Sequence, residues 1–380
     1  MGISRLIYGR SAMAGLYLLQ DDWFDEHRIT GWLNTIATRV DTAERIVELG
    51  TGERLAWDRL VLATGSSAFV PELPGYGMPG TFVVREADDG IRIRAYVQGH
   101  GARHAVVAGG GLLGLEAAHA LVELGLQVTV LERGERLLAR LVDARTSELL
   151  QSFLANSGVR VRTEVTASAL PGEDRCRGVV LDTGEELAAD VFVVAAGIRP
   201  NVELAASAGI AVNRGIVVDR TLRTSVPEVF AVGDAAEVDG AVHGLWPVAV
   251  TQAEVAAANI AGSERHLEPY EPVAILKGVG IDLAAAGRIE GGDGDEVIVA
   301  EDPARHVYRK LVVRDGKVVG GIVLGVAGLV PRLTAAVRHR RDVSAILPSL
   351  RAGSWDEFDS DSKAPAASGE AAAGEPVLVS

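Results

Sequence analysis

The stretch RIVELGTGERLAWDRLVLATG, from Arg45 to Gly65, occurs again as RGVVLDTGEELAADVFVVAAG, from Arg177 to Gly197. The two copies lie 132 residues apart and are identical at 12 of 21 positions. In each copy, alternating apolar residues run into a Gly-Thr-Gly or Asp-Thr-Gly turn, which predicts a β-hairpin. The apolar run that follows is typical of a strand covered on both faces of a parallel sheet. Two copies of such a segment predict two related domains.

The segment VVAGGGLLGLEAAHALVELGLQVTVLE, from Val106 to Glu132, lies between the copies. Its pattern predicts a strand from His104 to Gly109, a helix from Leu112 to Leu124 that ends at Gly125, and a strand from Gln127 to Glu132. These three elements form one βαβ unit, as in a dinucleotide-binding domain.

Gly109, Gly111 and Gly114 form a Gly-x-Gly-x-x-Gly motif at the turn from strand to helix. The first glycine allows the turn, the second lets a pyrophosphate approach the backbone, and the third lets the helix pack on its strand. Glu132 is placed to accept hydrogen bonds from an adenosine ribose, which favours NADH. Arg133 could instead hold the 2′-phosphate of NADPH. A glycine turn that packs without any ligand is the remaining alternative.

The spacing between the two copies of the repeat also predicts which elements the first domain lacks. Carried back from Gly109, the same offset places the first glycine loop some 23 residues before Met1. We therefore expect one complete dinucleotide domain and one that is truncated at its N-terminal end. A true start upstream of Met1 is the alternative.

Composition excludes several classes of function. The net charge of −14 argues against general affinity for nucleic acid or anionic membranes. The longest apolar run, from Val318 to Val330, has 13 residues and contains four glycines, whereas a membrane span needs about 20 residues. Cys176 is the only cysteine, which rules out an intrachain disulfide and suits a reducing cytoplasm. The N-terminal residues lack a secretory signal, and we expect no metal site.

The chain after the second copy changes character. Between Tyr270 and Leu347 it predicts short strands and turns, with a hairpin across Asp315-Gly316, and from about Ala352 it has few large apolar residues, as in a disordered tail. The expected domains are the truncated domain (1–78 and 198–265), the complete one (79–197), a small α+β domain (266–350) and the tail (351–380).

A Gly233-Asp234 pair follows an apolar strand that ends at Val232. Together with Ala63-Thr64-Gly65, Ala195-Ala196-Gly197 and the glycine loop, it resembles the two-dinucleotide flavoprotein reductases of the pyridine nucleotide:FAD oxidoreductase superfamily, from about Tyr8 to Val343. The resemblance implies an α/β fold with two Rossmann-like three-layer domains that bind FAD and NADH, with NADPH as the alternative coenzyme. It also implies that Asp234 holds the ribityl chain of FAD and that Thr64 and Gly65 lie along that cofactor.

Four further residues are assigned by resemblance alone. Arg10, in Tyr-Gly-Arg, and Arg85 are expected to contact FAD, and Trp246 to pack at the flavin; for each, an ordinary surface or core role remains open. Glu116 matches the Gly-Leu-Glu of rubredoxin and ferredoxin reductases and of the NADH-dependent nitrite reductase large subunit, where this residue faces the flavin and nicotinamide. A carboxylate favoured by the helix dipole is its alternative.

The resemblance narrows at the C-terminal domain, where ILKGVGIDLAAAGRI (Ile275 to Ile289) is similar to the nitrite and assimilatory nitrate reductase branch. Members that reduce disulfides need cysteines that this chain lacks, since Cys176 lies far from the expected position. The lysine that monooxygenase-type ferredoxin reductases carry after Tyr-x-Arg is also missing from residues 11–18.

These observations predict an NAD(P)H-dependent reductase that passes electrons from NADH through FAD to rubredoxin, ferredoxin or a nitrite or nitrate reductase component, with homodimerisation as a further expectation. A nucleotide-binding remnant or interaction module without redox activity is the alternative. The run Arg338-His339-Arg340-Arg341 is either a solvated helix face or a docking surface for an acidic electron carrier.

Overall fold

The computed structural model describes residues 3–9, 19, 22–269 and 273–360. These residues form two compact units. The first unit contains residues 3–9, 70–196 and 273–360, and the second contains residue 19 and residues 22–69 and 197–269. The predicted domain boundaries remain predictions, because contacts alone define the two units. No helix in the described part of the chain is long and apolar enough to cross a membrane.

The helices of the described residues are α1 (Ile3–Tyr8), α2 (Trp23–Glu26), α3 (Ala87–His100), α4 (Leu112–Glu123), α5 (Ala144–Asn156), α6 (Glu203–Ser207), α7 (Trp246–Ile260), α8 (Val330–Arg338), α9 (Leu347–Arg351) and α10 (Asp356–Ser360). The strands are β1 (Ala37–Asp41), β2 (Ile46–Leu49), β3 (Arg54–Ala56), β4 (Leu60–Leu62), β5 (Ser66–Ala68), β6 (Thr81–Val83), β7 (His104–Ala108), β8 (Gln127–Glu132), β9 (Val159–Thr163), β10 (Ala167–Ala169), β11 (Gly178–Leu181), β12 (Glu186–Ala188), β13 (Val191–Val194), β14 (Ile198–Pro200), β15 (Ile216–Val218), β16 (Val229–Ala231), β17 (Ala236–Val238), β18 (Val273–Leu276), β19 (Leu283–Gly287), β20 (Glu296–Asp302), β21 (Val307–Arg314) and β22 (Lys317–Leu324).

Both copies of the repeat fold as predicted. In the hairpin of β2 and β3, Ile46 pairs with Ala56, and in the hairpin of β11 and β12, Gly178 pairs with Ala188. Each partner lies 132 residues from its counterpart, so the two hairpins have the same register. The strand that follows each hairpin, β4 or β13, joins a parallel pairing.

The parallel sheet of the first unit has the order β6-β13-β7-β8-β9. Its middle strands are apolar because helices cover them; Val191 and Val193 of β13, for example, are fully buried. In the second unit, β4 pairs with β16, and β15 pairs with β17. Among the described residues, β4 therefore has one strand partner, whereas β13 has two.

The C-terminal part of the first unit is an antiparallel sheet of order β18-β19-β22-β21-β20. The predicted hairpin across Asp315-Gly316 is confirmed, and both turn residues have positive φ, as a two-residue hairpin loop requires. One face of this sheet packs on α8. The other face shares an apolar core with the parallel sheet and α4 and α5.

A buried polar cluster joins α5 to this antiparallel sheet. Asp143, the N-cap of α5, accepts hydrogen bonds from the backbone N–H and hydroxyl of Thr146 at 2.9 and 2.6 Å. Its other oxygen accepts from the Tyr308 hydroxyl at 2.8 Å and the Lys310 ammonium at 2.9 Å. Burial and the hydrogen bond from Tyr308 to the Asp143 carboxylate raise the pKa of Tyr308, which keeps the phenol protonated as the donor.

Two observations bear on the predicted domain boundaries, which stay predictions. Residues 3–9 group with the first unit, although residues 1–78 were expected in the first dinucleotide domain, because α1 packs on α3 and α4 and buries Leu6 and Ile7. A disordered tail was expected from residue 351, but Trp355 and Phe358, just before and within α10, are packed into the core of the C-terminal sheet. Residues 361–380 lie outside the described residues.

We predict that Phe358→Ala lowers the free energy of unfolding by about 3–5 kcal/mol, since it leaves a cavity at a fully buried ring. The ring also carries the Arg341 guanidinium over its face at 4.9 Å. The exposed neighbour on the same helix provides the control, and Glu357→Ala should change the value by about 0.5 kcal/mol or less. Urea unfolding measures both variants. Equal midpoints would show that α10 does not belong to the folded core.

Candidate functional site

The glycine loop between β7 and α4 depends on close backbone approach. Gly109 has a φ of 125°, and a Cβ at this position would overlap the carbonyl oxygen of Ala195, at the end of the repeat's second copy. A Cβ on Gly114 would overlap the carbonyl oxygen of Gly109. Both positions therefore require glycine for packing, independently of any ligand.

Gly111 is different, because a Cβ there would meet no heavy atom within 4 Å. It is the N-cap of α4, and no side chain caps this helix end, which also carries no acidic residue in its first turn. The free N–H groups of the first turn and the open space above Gly111 suit an anion such as a pyrophosphate. The residues present thus fit a dinucleotide.

Glu132 ends β8 beside this loop. One carboxylate oxygen accepts the N–H of Gly110 at 2.8 Å, and the other accepts the N–H of Gly134 at 2.6 Å. The carboxylate is half-buried and held in place at the loop, where a ribose hydroxyl would approach. Arg133 is exposed beside it, so the structure keeps the alternative of a 2′-phosphate.

In the second unit, Thr64 and Gly65 follow β4. The Thr64 hydroxyl donates to the backbone carbonyl of Asn201 at 2.7 Å, and the Asn201 amide donates to the Thr64 carbonyl at 2.9 Å. The Ser66 hydroxyl donates to Asp234 at 2.9 Å. The loop after β4 is thereby brought next to the Gly-Asp turn, as the resemblance implies.

The Gly233-Asp234 turn is held by the buried side-chain amide of Gln252. Gly233 has a φ of 74°, and its N–H donates to the side chain of Gln252, a residue of α7, at 2.7 Å. Asp234 is half-buried and follows at once. Trp246 is the first residue of α7, the helix that packs on this turn. Its side chain is 62% exposed. An indole that is this exposed can be contacted by a ligand.

A cavity of about 410 Å³ borders Thr64 and Asn201 and is otherwise lined by residues of β1 and α6. Gly65 and Gly197 both have positive φ and no neighbour within 4 Å of a Cβ position. The space at these turns could accept part of a large ligand such as FAD, and the donor set of hydroxyls, amides and one carboxylate matches its polar chain.

The remaining predicted residues are Glu116, Arg85 and Arg10. Glu116, in the first unit, is a buried residue of α4, 7% exposed. Arg85 lies just before α3, and its backbone N–H donates to Asp89 at 2.9 Å. Arg10 lies outside the described residues. Burial raises the pKa of the Cys176 thiol, so this cysteine is not a ready redox nucleophile.

The sequence did not reveal the residues that organise these loops, namely Asn201, Ser66, Gln252 and Leu138. Asn201 bonds to Thr64 across 137 positions, and the N–H of Leu138 donates to the carbonyl of Gly110 at 3.3 Å. Only the serine was adjacent to a motif, directly after Ala-Thr-Gly. None of the others had a local signal in the sequence.

Residues 10–253 match the model of the pyridine nucleotide-disulphide oxidoreductases, and residues 272–341 match that of the rubredoxin NAD+ reductase C-terminal domain. The chain is 33% identical to the NAD(P)H nitrite reductase of Bacillus subtilis over 90% of its own length and 42% of that protein. It is 34% identical to the ferredoxin reductase component of a chlorobenzene dioxygenase from a Cupriavidus species, over 83% of this chain and 77% of that protein.

Among solved structures, the covalent putidaredoxin reductase–putidaredoxin complex aligns with a TM-score of 0.81 at 25% identity, over 95% of this chain and 89% of that chain. These likenesses confirm the predicted fold class. The chain spans less than half the length of the first curated relatives it matches, which are nitrite reductases and an assimilatory nitrate reductase electron transfer subunit. Because the matched model covers well over half of the chain, the protein belongs to the pyridine nucleotide-disulphide oxidoreductase family, whose members use FAD and NAD(P)H.

Proposed function

We propose that the chain is an NAD(P)H-dependent flavoprotein reductase that passes electrons from NADH through FAD to a protein acceptor. The observation that carries this proposal is the uncapped N-terminus of α4, with open space above Gly111 and the fixed carboxylate of Glu132 beside it. The linked turns at Thr64 and Asp234 support the second nucleotide.

The chemistry that the two bound cofactors would supply is hydride transfer from NADH to FAD, followed by one-electron transfer to the acceptor. The chain's own part is to bind and to orient. We assign the pyrophosphate of NADH to the first turn of α4, its ribose to Glu132, and the ribityl hydroxyls of FAD to Asp234. Glu116 is the one side chain that we propose to act at the reacting rings. Arg10, Arg85 and Trp246 remain proposed FAD contacts, and Gly197 remains a proposed cofactor contact.

The proposed acceptor is an acidic electron carrier of the rubredoxin or ferredoxin type, or a nitrite or nitrate reductase component. Residues 303–341 contain nine Lys and Arg and only one acidic residue, in a chain of net charge −14. We define the basic surface as Lys317, Arg338 and Arg340. Lys317 and Arg340 line a cavity of about 240 Å³ whose lining also includes Asp315 and Arg314, and Arg314 is ion-paired with Asp295 at 2.7 Å. Such a surface attracts an acidic partner and speeds its encounter.

The alternative function is a nucleotide-binding remnant or interaction module without redox activity. It is favoured by the second unit, where β4 has one strand partner among the described residues, whereas β13 has two. A smaller sheet gives FAD less support. The two functions differ in whether the purified chain retains flavin, which can be measured directly.

We predict that the purified chain, incubated with FAD and desalted, keeps the visible absorption of bound flavin and oxidises NADH with menadione as a neutral acceptor. Asp234→Ala should lose most of the flavin, because the turn residue that holds the ribityl chain is gone, while Asp239→Ala, an exposed control after β17, should keep it. A colourless, inactive wild-type chain would sink the reductase proposal and favour the remnant.

We predict that Glu132→Ala lowers the ratio of kcat/KM for NADH to that for NADPH by about tenfold, as expected when about 1.4 kcal/mol of discrimination is lost. The physical reason is the loss of the ribose acceptor together with its repulsion of a 2′-phosphate. Glu135→Ala, three residues further on and exposed, is the control. An unchanged ratio would refute the role of Glu132 in coenzyme choice.

We predict that Arg338→Glu combined with Arg340→Glu lowers kcat/KM for a rubredoxin about tenfold at low salt, because electrostatic steering is reversed. Turnover with menadione should stay the same, which separates docking from the reductase chemistry. Arg305→Glu is the control, since Arg305 is exposed at the other end of β21. Equal losses in both variants would mean that net charge, and not this surface, guides the carrier.

A further inference from the structure

The segment 133–142, which we call the adenosine loop, follows Glu132. Glu132 and this loop together hold the N–H and the carbonyl of Gly110, the middle residue of the glycine loop. The N–H of Gly110 donates to Glu132 at 2.8 Å, and the carbonyl of Gly110 accepts from the N–H of Leu138 at 3.3 Å. Leu137 is fully buried, and its methyl group lies 2.6 Å from where a Cβ of Gly110 would be. The position of Gly110 is therefore set by Glu132 and the adenosine loop.

The adenosine loop is followed directly by Asp143, the N-cap of α5, whose carboxylate accepts four hydrogen bonds. One oxygen accepts twice from Thr146 at the start of α5. The other accepts from Tyr308 at 2.8 Å and from Lys310 at 2.9 Å. Four bonds use the usual acceptor capacity of a carboxylate, so this end of the loop has one well-defined position.

The two donors to the second oxygen come from β21 of the C-terminal sheet. Tyr308 and Lys310 are 3% and 5% exposed. A buried ammonium needs a partner, since an unpaired one is strongly unfavourable, and Lys310 has Asp143 and, at 3.3 Å, the more exposed Glu290. The C-terminal sheet thus depends on the end of the adenosine loop as much as the loop depends on the sheet.

We propose that Lys310 and Tyr308 are positioning residues for the NADH site. By holding Asp143 they fix the adenosine loop, and the loop holds Glu132 and Gly110 in the geometry that receives the coenzyme. The inference rests on the proposed function only in taking the glycine loop as the NADH site. It gives the C-terminal sheet a part in coenzyme binding without any direct contact to the coenzyme.

The charge on Asp143 provides a pH signature. Burial alone would raise the pKa of Asp143, but the hydrogen bonds from Thr146, Lys310 and Tyr308 outweigh burial and hold this pKa below its ordinary value. The other charged groups nearby are Glu290 and the exposed pair of Arg145 and Glu301. The carboxylate therefore stays ionised at neutral and mildly acidic pH, and its hold on the loop is lost only as the pH falls through the lowered pKa.

The test measures the Kd for NADH by fluorescence titration, which does not require reductase activity. Lys310→Met should raise the Kd about tenfold and Tyr308→Phe about threefold, in the range expected for coupling through a packed network. Glu301→Gln is the matched control, because Arg145 and Glu301 also join α5 to the C-terminal sheet but lie at the surface. Its Kd should stay within about twofold.

The pH arm separates positioning from general loosening of the fold. In Lys310→Met the pKa of Asp143 rises, so the Kd for NADH should increase as the pH falls from about 8 to 5, while the wild-type Kd stays flat over this range. If Lys310→Met folds poorly, the double variant Asp143→Asn with Lys310→Met keeps a helix cap without a buried charge. Its Kd should be raised but independent of pH.

A wild-type Kd for both Lys310→Met and Tyr308→Phe would overturn the inference, as would a raised Kd in Lys310→Met without any pH dependence. NADH binding by a chain that lacks flavin and menadione reductase activity would sink the proposed function alone. A wild-type chain that does not bind NADH would overturn both.

Discussion

The close approach of three backbone segments at Gly109, Gly114 and Ala195 is the constraint on which the rest of the first unit depends. With no Cβ at Gly114, α4 can begin directly against the end of β7. With none at Gly109, the same loop can lie against the strand that leaves the repeated hairpin. The direction of α4, and with it the direction of its free N–H groups, follows from these contacts. Glu132 and the adenosine loop complete the candidate coenzyme site, whose shape is set by these backbone contacts.

The two copies of the repeat show how one backbone serves two different chemistries. Thr64 corresponds to Ala196 of the second copy, and Gly65 to Gly197. In the first unit, the turn after β13 is apolar and lies against the glycine loop. In the second unit, the threonine hydroxyl donates to Asn201, and the serine after Gly65 donates to Asp234. The hairpins keep the same register, and the exchange of Thr64 for Ala196 changes what the exit turn can bond to.

Local patterns in the sequence were enough to predict helices, strands and turns, but not the long-range hydrogen bonds that connect them. The strand from Gln127 to Glu132 and the hairpin across Asp315-Gly316 come from periodicity and turn chemistry, both of which act over a few residues. The bond from Lys310 to Asp143 spans 167 positions, and nothing near either residue marks it. Trp355 and Phe358 were missed for another reason, because two aromatic residues hardly change the composition of a polar segment, yet both are buried.

The Glu132 carboxylate bonds to the backbone of the glycine loop and is also the proposed acceptor for the ribose of the coenzyme. Each carboxylate oxygen offers two acceptor directions, and one direction on each is used by the N–H of Gly110 or Gly134. The remaining directions suffice for the two hydroxyls of a ribose. An amide at this position would keep one acceptor oxygen and turn the other into a donor, so it would lose one of the backbone bonds as well as part of the ribose contact. In the proposed function, coenzyme choice and the geometry of the glycine loop therefore cannot be changed independently at Glu132, whereas the exposed Arg133 would alter the charge near a 2′-phosphate without disturbing the loop.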